Sequence, residues 1–391
     1  MTPIRVAEQL SLDQFPSGRL SVAVYGPGTG EGVLFRLPGG EWGVVDGCAM
    51  DGEGGLNPIR VLLDAAGVSR LHFCAMTHPH EDHLLGLDQI IGRFKPKHLW
   101  WAGETHDRMF SHYLRDLRAT PGARAHDEVD PRDPAPIDTV QRVSRAVARS
   151  LDRKEGDRRA IGAALSDEKL LYEWEDDGGR GEIWGVLPTT GSVRQTLRRA
   201  RAEPLPDDVE DRHGEVNEAS GALLIRWGRA GVLLAGDALK GTVDGHRGWS
   251  WWRARRDHDE VQVVNVAHHA SSGAHDDELW AMLRPRLALV TPFKRSAGRN
   301  PPQPEMLRKL LASGAEVGLT ARPQWWETAD HGLRGFTEAS APVPATGIPG
   351  RAPRAIRARG GAVGAIAASL RSTGEIDAIT LAGGAALLQA V

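Results

Sequence analysis

Seven consecutive residues, Thr77-His78-Pro79-His80-Glu81-Asp82-His83, hold three imidazoles and the carboxylate of Asp82. His78 and His80 lie two apart, so in extended backbone they point the same way and can share one cation. Asp82 and His83 begin the following turn, point past it and can serve a second cation. Imidazole nitrogen and carboxylate oxygen suit zinc, with manganese and iron as alternatives. A polar turn without a function is a poor account of so many ionisable groups. Just before the cluster, Leu71-His72-Phe73-Cys74-Ala75-Met76 reads as a buried strand. Just after it, Leu84, Leu85, Leu87, Ile90 and Ile91 fall on one helical stripe. The cluster therefore sits on a strand-to-helix turn, a rigid base from which side chains can converge.

Later strand ends supply partners. Val33 to Leu37 and Trp42 to Val45 flank Pro38-Gly39-Gly40-Glu41 as a hairpin that runs into Asp46-Gly47-Cys48. Asp46 reads as an acid that orients a histidine and so assists catalysis, rather than as a direct ligand. A second hairpin, Ser220 to Trp227 and Gly231 to Ala235, ends in Gly236-Asp237. A β-branched strand from Val261 to Ala267 ends in His268-His269. Asp237 is placed to bridge two ions, and His268, nearest its strand end, to complete the second. His269 is left to protonate a leaving group or to pack beneath the site. Two ions roughly 3.5–4 Å apart would trap a hydroxide between them. Asp82 would orient that nucleophile.

The 391 residues suffice for a sizeable core, with 41% hydrophobic and 25% charged residues and a formal net charge of -3. That charge gives no global pull towards nucleic acid. No apolar run approaches the roughly 20 residues that span a bilayer, and the N-terminus lacks a signal-peptide pattern. Two cysteines, Cys48 and Cys74, fit a reducing compartment, so a cytoplasmic protein without membrane contact is expected. Further elements are a strand over 20–25, helices over 57–67, 139–152, 193–202 and 304–311, and strands over 98–101, 182–187, 287–291 and 316–320. Residues 103–180 read as a partly helical, locally basic insertion in a domain spanning 1–338. A Pro/Gly/Ala-rich linker and a β-hairpin extension fill 339–391.

The HxHxDH cluster, with an Asp and a His on later strands, resembles the metallo-β-lactamase superfamily of hydrolases. The stretches Gly30 to Gly40, Val44-Val45-Asp46-Gly47, Asn217 to Leu224, Val232 to Asp237 and Val266 to Ser271 are similar to the hydrolase domain of bacterial competence (DNA-uptake) proteins. They are spread along residues 20–320 in the order that family has them. The resemblance implies an α/β fold, a four-layer αββα sandwich with the site along one edge. It implies metal-assisted hydrolysis of a phosphodiester, with single-stranded nucleic acid as substrate. The rival readings are a small-molecule ester, lactone, thioester or phosphoester hydrolase, and a metal-binding effector or regulatory subunit.

This chain departs from the family pattern in three places. Asn217 stands where many members have a third histidine for the first ion; His213 is an alternative ligand. Ala270 replaces the usual glycine after the paired histidines, and Asn300-Pro301-Pro302 replaces a histidine-bearing loop. Ser271 and Lys240 are candidates to touch substrate oxygens. Cys48 reads as a packed small residue, and Trp249, Trp251 and Trp252 as packing residues rather than base-stacking platforms.

Overall fold

Strands with one face towards helices and the other towards a second sheet organise this chain, seen in a computed structural model. The structure describes residues 2–26, 30–48, 57–103, 136–152, 159–201, 217–255, 260–293, 300–326, 336–338, 357–358 and 361–388. The first half of the chain contributes β1 (Ile4–Ala7), β2 (Leu20–Gly26), β3 (Gly32–Arg36), β4 (Trp42–Val45), β5 (Phe73–Met76), β6 (His98–Ala102) and β7 (Ile161–Leu165). Next come β8 (Lys169–Asp176), β9 (Gly179–Leu187), β10 (Ala222–Trp227), β11 (Ala230–Leu234), β12 (Val263–Asn265), β13 (Leu287–Val290), β14 (Glu316–Leu319) and β15 (Phe336–Glu338). A short pair, β16 (Arg357–Ala358) and β17 (Gly361–Ala362), precedes β18 (Gly364–Leu370), β19 (Ile376–Ala382) and β20 (Ala386–Leu388). One nine-stranded sheet has the order β1-β19-β18-β2-β3-β4-β5-β6-β7, and the other β15-β20-β14-β13-β12-β11-β10-β9-β8.

Three apolar cores fix the layers. Between the sheets, Val22, Phe35, Phe73 and Trp100 meet Ile225, Val232, Leu287 and Leu387. On the outer face of the first sheet, Leu34, Val44 and Cys74 are covered by α1 (Pro58–Ala65), α2 (Glu81–Leu84), α3 (Leu87–Phe94) and α4 (Pro136–Leu151). On the outer face of the second, Leu224, Leu233 and Val264 are covered by α6 (Gly248–Ala254), α7 (Asp277–Leu283) and α8 (Pro304–Ala312). A further helix, α5 (Thr190–Arg201), follows β9. The result is a four-layer αββα sandwich. Each fully buried Leu, Val or Phe contributes about 1.5–3 kcal/mol to holding it together.

Several sequence expectations change here. The C-terminal hairpin forms, but it is not an extension. Its strands lie between β1 and β2, and β18 pairs with β2 from Gly364↔Gly26 to Leu370↔Leu20. β20 joins the other sheet beside β14, so the tail completes both sheets; the linker read over 339–354 lies outside the described residues. The 103–180 segment is likewise not a simple insertion, although 104–135 is also outside them. Its helix buries Val140, Val143 and Val147 as the stripe predicts, and β7 and β8 form the edges of the two sheets. Both edge strands are half-buried and alternate weakly, which hides them in the sequence. The stripe after the cluster is broken at Gly86, whose φ of 83° ends α2 and opens α3. A side chain there would strike the Asn57 amide, so glycine alone fits.

At the end of β5 and β6 remote from the cluster, the buried ring of His72 lies 4.2 Å from Tyr172 and 5.2 Å from His98. Neither ring nitrogen has a hydrogen-bond partner among the described residues. Burial, then the charges of His98, Lys97 and Arg70, lower its pKa to about 4. The unfolded chain therefore binds a proton between pH 6.5 and 4 that the folded chain refuses, so stability falls as pH drops through that window. His72→Phe is expected to remove about 1 kcal/mol of the stability difference between pH 7 and pH 5. Urea unfolding of both proteins at each pH measures it; identical pH dependence would refute this account of His72.

Candidate metal centre

Strands β4 and β5 run parallel, as do β11 and β12, so the loops after them collect at one edge of the sandwich. After β5, the main-chain N–H groups of His83 and Leu84 both bond to the His80 carbonyl, turning the chain into α2. The Thr77 carbonyl accepts from the Gly221 N–H at 2.7 Å and so ties this loop to β10. Gly236, at φ 50°, lets the loop after β11 come close; a Cβ there would lie 2.9 Å from that of Thr77. The Asp237 N–H then donates to Ser220 Oγ at 3.0 Å.

Two groups of ligand-type atoms result: His78, His80 and Asp237, and Asp82, His83, Asp237 and His269. Asp237 belongs to both. Its Oδ2 lies 3.5 Å from His78 Nε2 and its Oδ1 3.3 Å from His83 Nε2. Asp82 Oδ2 lies 3.3 Å from His269 Nε2 and 3.8 Å from His83 Nε2. His78 Nε2 and His80 Nδ1 are 3.1 Å apart, a spacing that a shared proton or a shared cation satisfies.

The outer nitrogens settle which atoms face inward. Asp46 Oδ2 accepts from His83 Nδ1 at 2.7 Å and from the Thr77 hydroxyl at 2.5 Å. With its proton given to Asp46, Thr77 Oγ1 is the acceptor for His78 Nδ1 at 3.0 Å. His269 Nδ1 donates to the Thr291 carbonyl at 2.8 Å and to its hydroxyl oxygen at 2.9 Å. Each of these rings thus turns Nε2 inward, as outer partners do for metal-bound imidazole. His83 Nε2 is fully buried, faces two carboxylates and makes no hydrogen bond among the described residues. A divalent cation suits such an atom, so the residues present fit the ions that the sequence implies.

The paired histidines exchange the places expected of them. His269 is buried within the second group, held at both ring nitrogens, and has no freedom to protonate a leaving group. His268 stands outside both groups with its side chain 31% exposed, Nε2 being 3.8 Å from Asp237 Oδ2 and 3.3 Å from the Asn217 amide nitrogen. It therefore adjoins the carboxylate oxygen that faces His78, on the side of the first group rather than the second. The reason is backbone. The strand read over 261–267 is only Val263–Asn265, and His268, His269 and Ala270 follow with φ of 50°, 54° and 62°. Three successive left-handed residues aim two neighbouring rings in directions that strand alternation does not give. Ala270 occupies a conformation for which glycine is the usual choice.

Asp46 lies outside both ligand groups, with its Oδ2 2.7 Å from His83 Nδ1. His213 lies outside the described residues. Ser271 Oγ lies 3.0 Å from His268 Nδ1, and Lys240 is exposed. Cys48 is buried with its thiol donating to the Tyr25 carbonyl, and Trp249 and Trp252 lie in the outer core of the second sheet, whereas Trp251 stacks on His246. Asn300 donates to Gln324.

Burial opposes charge on every group here, and the partners decide the outcome. The imidazoles of His83, His268 and His78 overcome burial to hold the Asp237 carboxyl well below the usual range. His83 and the bond from His269 do the same for Asp82. Asp237, Asp82 and Asp46 hold His83 well above its usual value, and Asp82 and Asp237 raise His269. Burial wins at His268, which is lowered. Glu31, missed in the sequence, lies beneath the second group. Burial pushes its carboxyl up, against His83, His269 and bonds from Thr291 and Asn265. An acid between two glycines at the head of an apolar strand was its one visible signal.

No protein-family model matches the sequence. No curated protein matches it either. Among solved structures, the chain is similar to CmlA, a diiron β-hydroxylase from Streptomyces venezuelae, at 15% identity and a TM-score of 0.37. That match covers 71% of this chain and 45% of the hydroxylase, so the chain spans under half of its length. A diphosphatase of the PhnP family matches at 12% identity and TM-score 0.32, covering 70% of this chain and 86% of the other. The subclass B3 metallo-β-lactamase MEM-A1, from a soil metagenome library, matches at 12% and 0.30, covering 68% and 81%. Likeness at this level assigns neither reaction nor substrate. The four-layer αββα arrangement itself, with the cluster at the strand ends, is the one that the sequence resemblance implies.

The carboxylates around His83 and His269 raise the pKa of both imidazoles and so favour their protonated forms in the cation-free cluster, and binding of a divalent cation there is expected to release protons. Titration calorimetry of zinc binding at pH 7, in buffers of different ionisation enthalpy, is expected to show release of about one to two protons. Enthalpy independent of buffer would contradict this electrostatic reading.

Proposed function

We propose that the chain is a metal-dependent hydrolase whose substrate is a phosphodiester, with single-stranded nucleic acid as the leading class. The observation that carries the reading is one carboxylate, Asp237, shared by two ligand groups. His78, His80 and Asp237 would hold one ion, and Asp82, His83, His269 and Asp237 the other. Two bound divalent ions, zinc by donor type or else manganese or iron, would lower the pKa of water towards 7 and neutralise developing charge. The similarity of the quoted stretches to competence-protein hydrolase domains supports the phosphodiester.

The chain's own residues have distinct tasks. Asp82 faces both His83 and His269 and would orient an attacking water through its carboxylate. Asp46 and Thr77 fix His83 and His78, so the ligand rings need no reorganisation when substrate arrives. His268, half-exposed beside Asn217, is the imidazole on the open side of the first group. It takes over the contact with substrate that His269 cannot make. Exposed Lys240, three residues beyond Asp237, supplies a cation for a phosphate oxygen. No helix among the described residues is long and apolar enough to cross a membrane.

The test is an assay of the metal-loaded protein on a bis-aryl phosphodiester, an oligonucleotide and a lactone. Asp82→Ala and His80→Ala are each expected to lower phosphodiester turnover at least about a hundredfold, the upper end of what loss of an outer partner alone costs. Activity on the oligonucleotide should fall steeply with added salt. Salt-indifferent turnover confined to the lactone would replace the substrate class. Wild-type activity in both variants would end the hydrolase reading.

A further inference from the structure

Glu31 is a buried carboxylate, 3% exposed, that belongs to neither ligand group. Its Oε2 accepts two bonds, from the Thr291 hydroxyl at 2.6 Å and from the Asn265 amide at 3.1 Å. Glu31 directly precedes β3, Thr291 follows β13 and Asn265 ends β12. The Glu31 N–H also donates to the Asp82 carbonyl at 3.0 Å, which ties the carboxylate's own backbone to the histidine loop. A lone acid buried to this degree is costly unless its bonds serve something.

The direction of the bonds shows what they serve. The Thr291 hydroxyl has one proton, and Glu31 takes it. The oxygen's remaining lone pair therefore faces His269 Nδ1, 2.9 Å away, and can only accept. The Thr291 carbonyl, 2.8 Å from the same nitrogen, can only accept as well. Nδ1 must then bear the proton, and Nε2 is left to face Asp82 and the second group. We infer that Glu31 is a positioning residue which, by keeping the Thr291 hydroxyl an acceptor beside the Thr291 carbonyl, favours the Nδ1–H tautomer of His269 and so supports the second metal site. This rests on the two-ion reading for its consequence, although the tautomer itself requires no metal. The arrangement parallels the Asp46–His83 contact, with a hydroxyl interposed because Glu31 lies one side chain further away.

Two measurements test it. In metal-free protein at pH 9, long-range proton–nitrogen spectra of the imidazoles should show His269 with its proton on Nδ1. Glu31→Ala and Thr291→Val should move it towards a mixture with Nε2. In cobalt titrations, both variants should bind one of the two equivalents about 10–100-fold more weakly, with an altered visible spectrum. The double variant should be no weaker than the worse single one, because both changes cut the same chain. Glu31→Gln, whose amide oxygen can still accept from Thr291, should recover most of the loss and guards against a variant that fails to fold. An unchanged tautomer in Glu31→Ala, or unchanged cobalt affinity and spectrum, overturns the inference. A wild-type protein that keeps the Nδ1 tautomer yet binds no cobalt would sustain the relay while refuting the two-ion function.

Discussion

Burying charge at one edge of a sandwich is the constraint on which the rest of this structure depends. Asp46, Asp82, Asp237, His78, His80, His83 and His269 are all nearly inaccessible to water, and Glu31 lies below them. Unpaired, any of the carboxylates would cost several kcal/mol. The fold meets the constraint by convergence. Parallel strands from both sheets end at the same edge, so acids and imidazoles from distant parts of the chain neutralise one another. Outer partners such as Thr77, Ser220 and Thr291 then bond the outward-facing atoms of the cluster. The same wiring that makes the cluster tolerable without a cation also leaves inward nitrogens and carboxylates arranged for one.

Much of this was legible in the sequence because it is local. The spacing of His78, His80, Asp82 and His83 needs only a strand followed by a turn, and the acids at 46 and 237 each follow a hairpin strand. What was not legible depends on backbone that departs from the regular periods. His268 and His269 reverse their expected places because three successive residues are left-handed, a conformation that side-chain types alone do not announce. Gly86 breaks a helix whose apolar stripe runs straight through it, for a steric reason supplied by Asn57. Glu31 was invisible for a different cause. Its partners, Asn265 and Thr291, lie 234 and 260 residues away, and neither is an unusual residue in a strand or loop.

The fold was legible in outline and wrong at its margins. Central strands are buried on both faces and show as apolar runs, whereas β7 and β8 sit at the edges, half-exposed, with a diluted pattern. The C-terminal hairpin was visible as a hairpin. Its place between β1 and β2 was not, because pairing across more than 330 residues leaves no trace in local periodicity. The consequence is physical. Strands 364–388 hold the first sheet together near its N-terminal strands and cap the second beside β14, so the centre is supported by both ends of the chain.

The central claim is that one shared carboxylate joins two cation sites. Counting bound metal tests it most directly. After loading with zinc and removal of excess by dialysis, elemental analysis should find two ions per wild-type chain, falling to one in His80→Ala and to one in Asp82→Ala. A wild-type chain that keeps no zinc, or variants that keep both ions, would contradict the account.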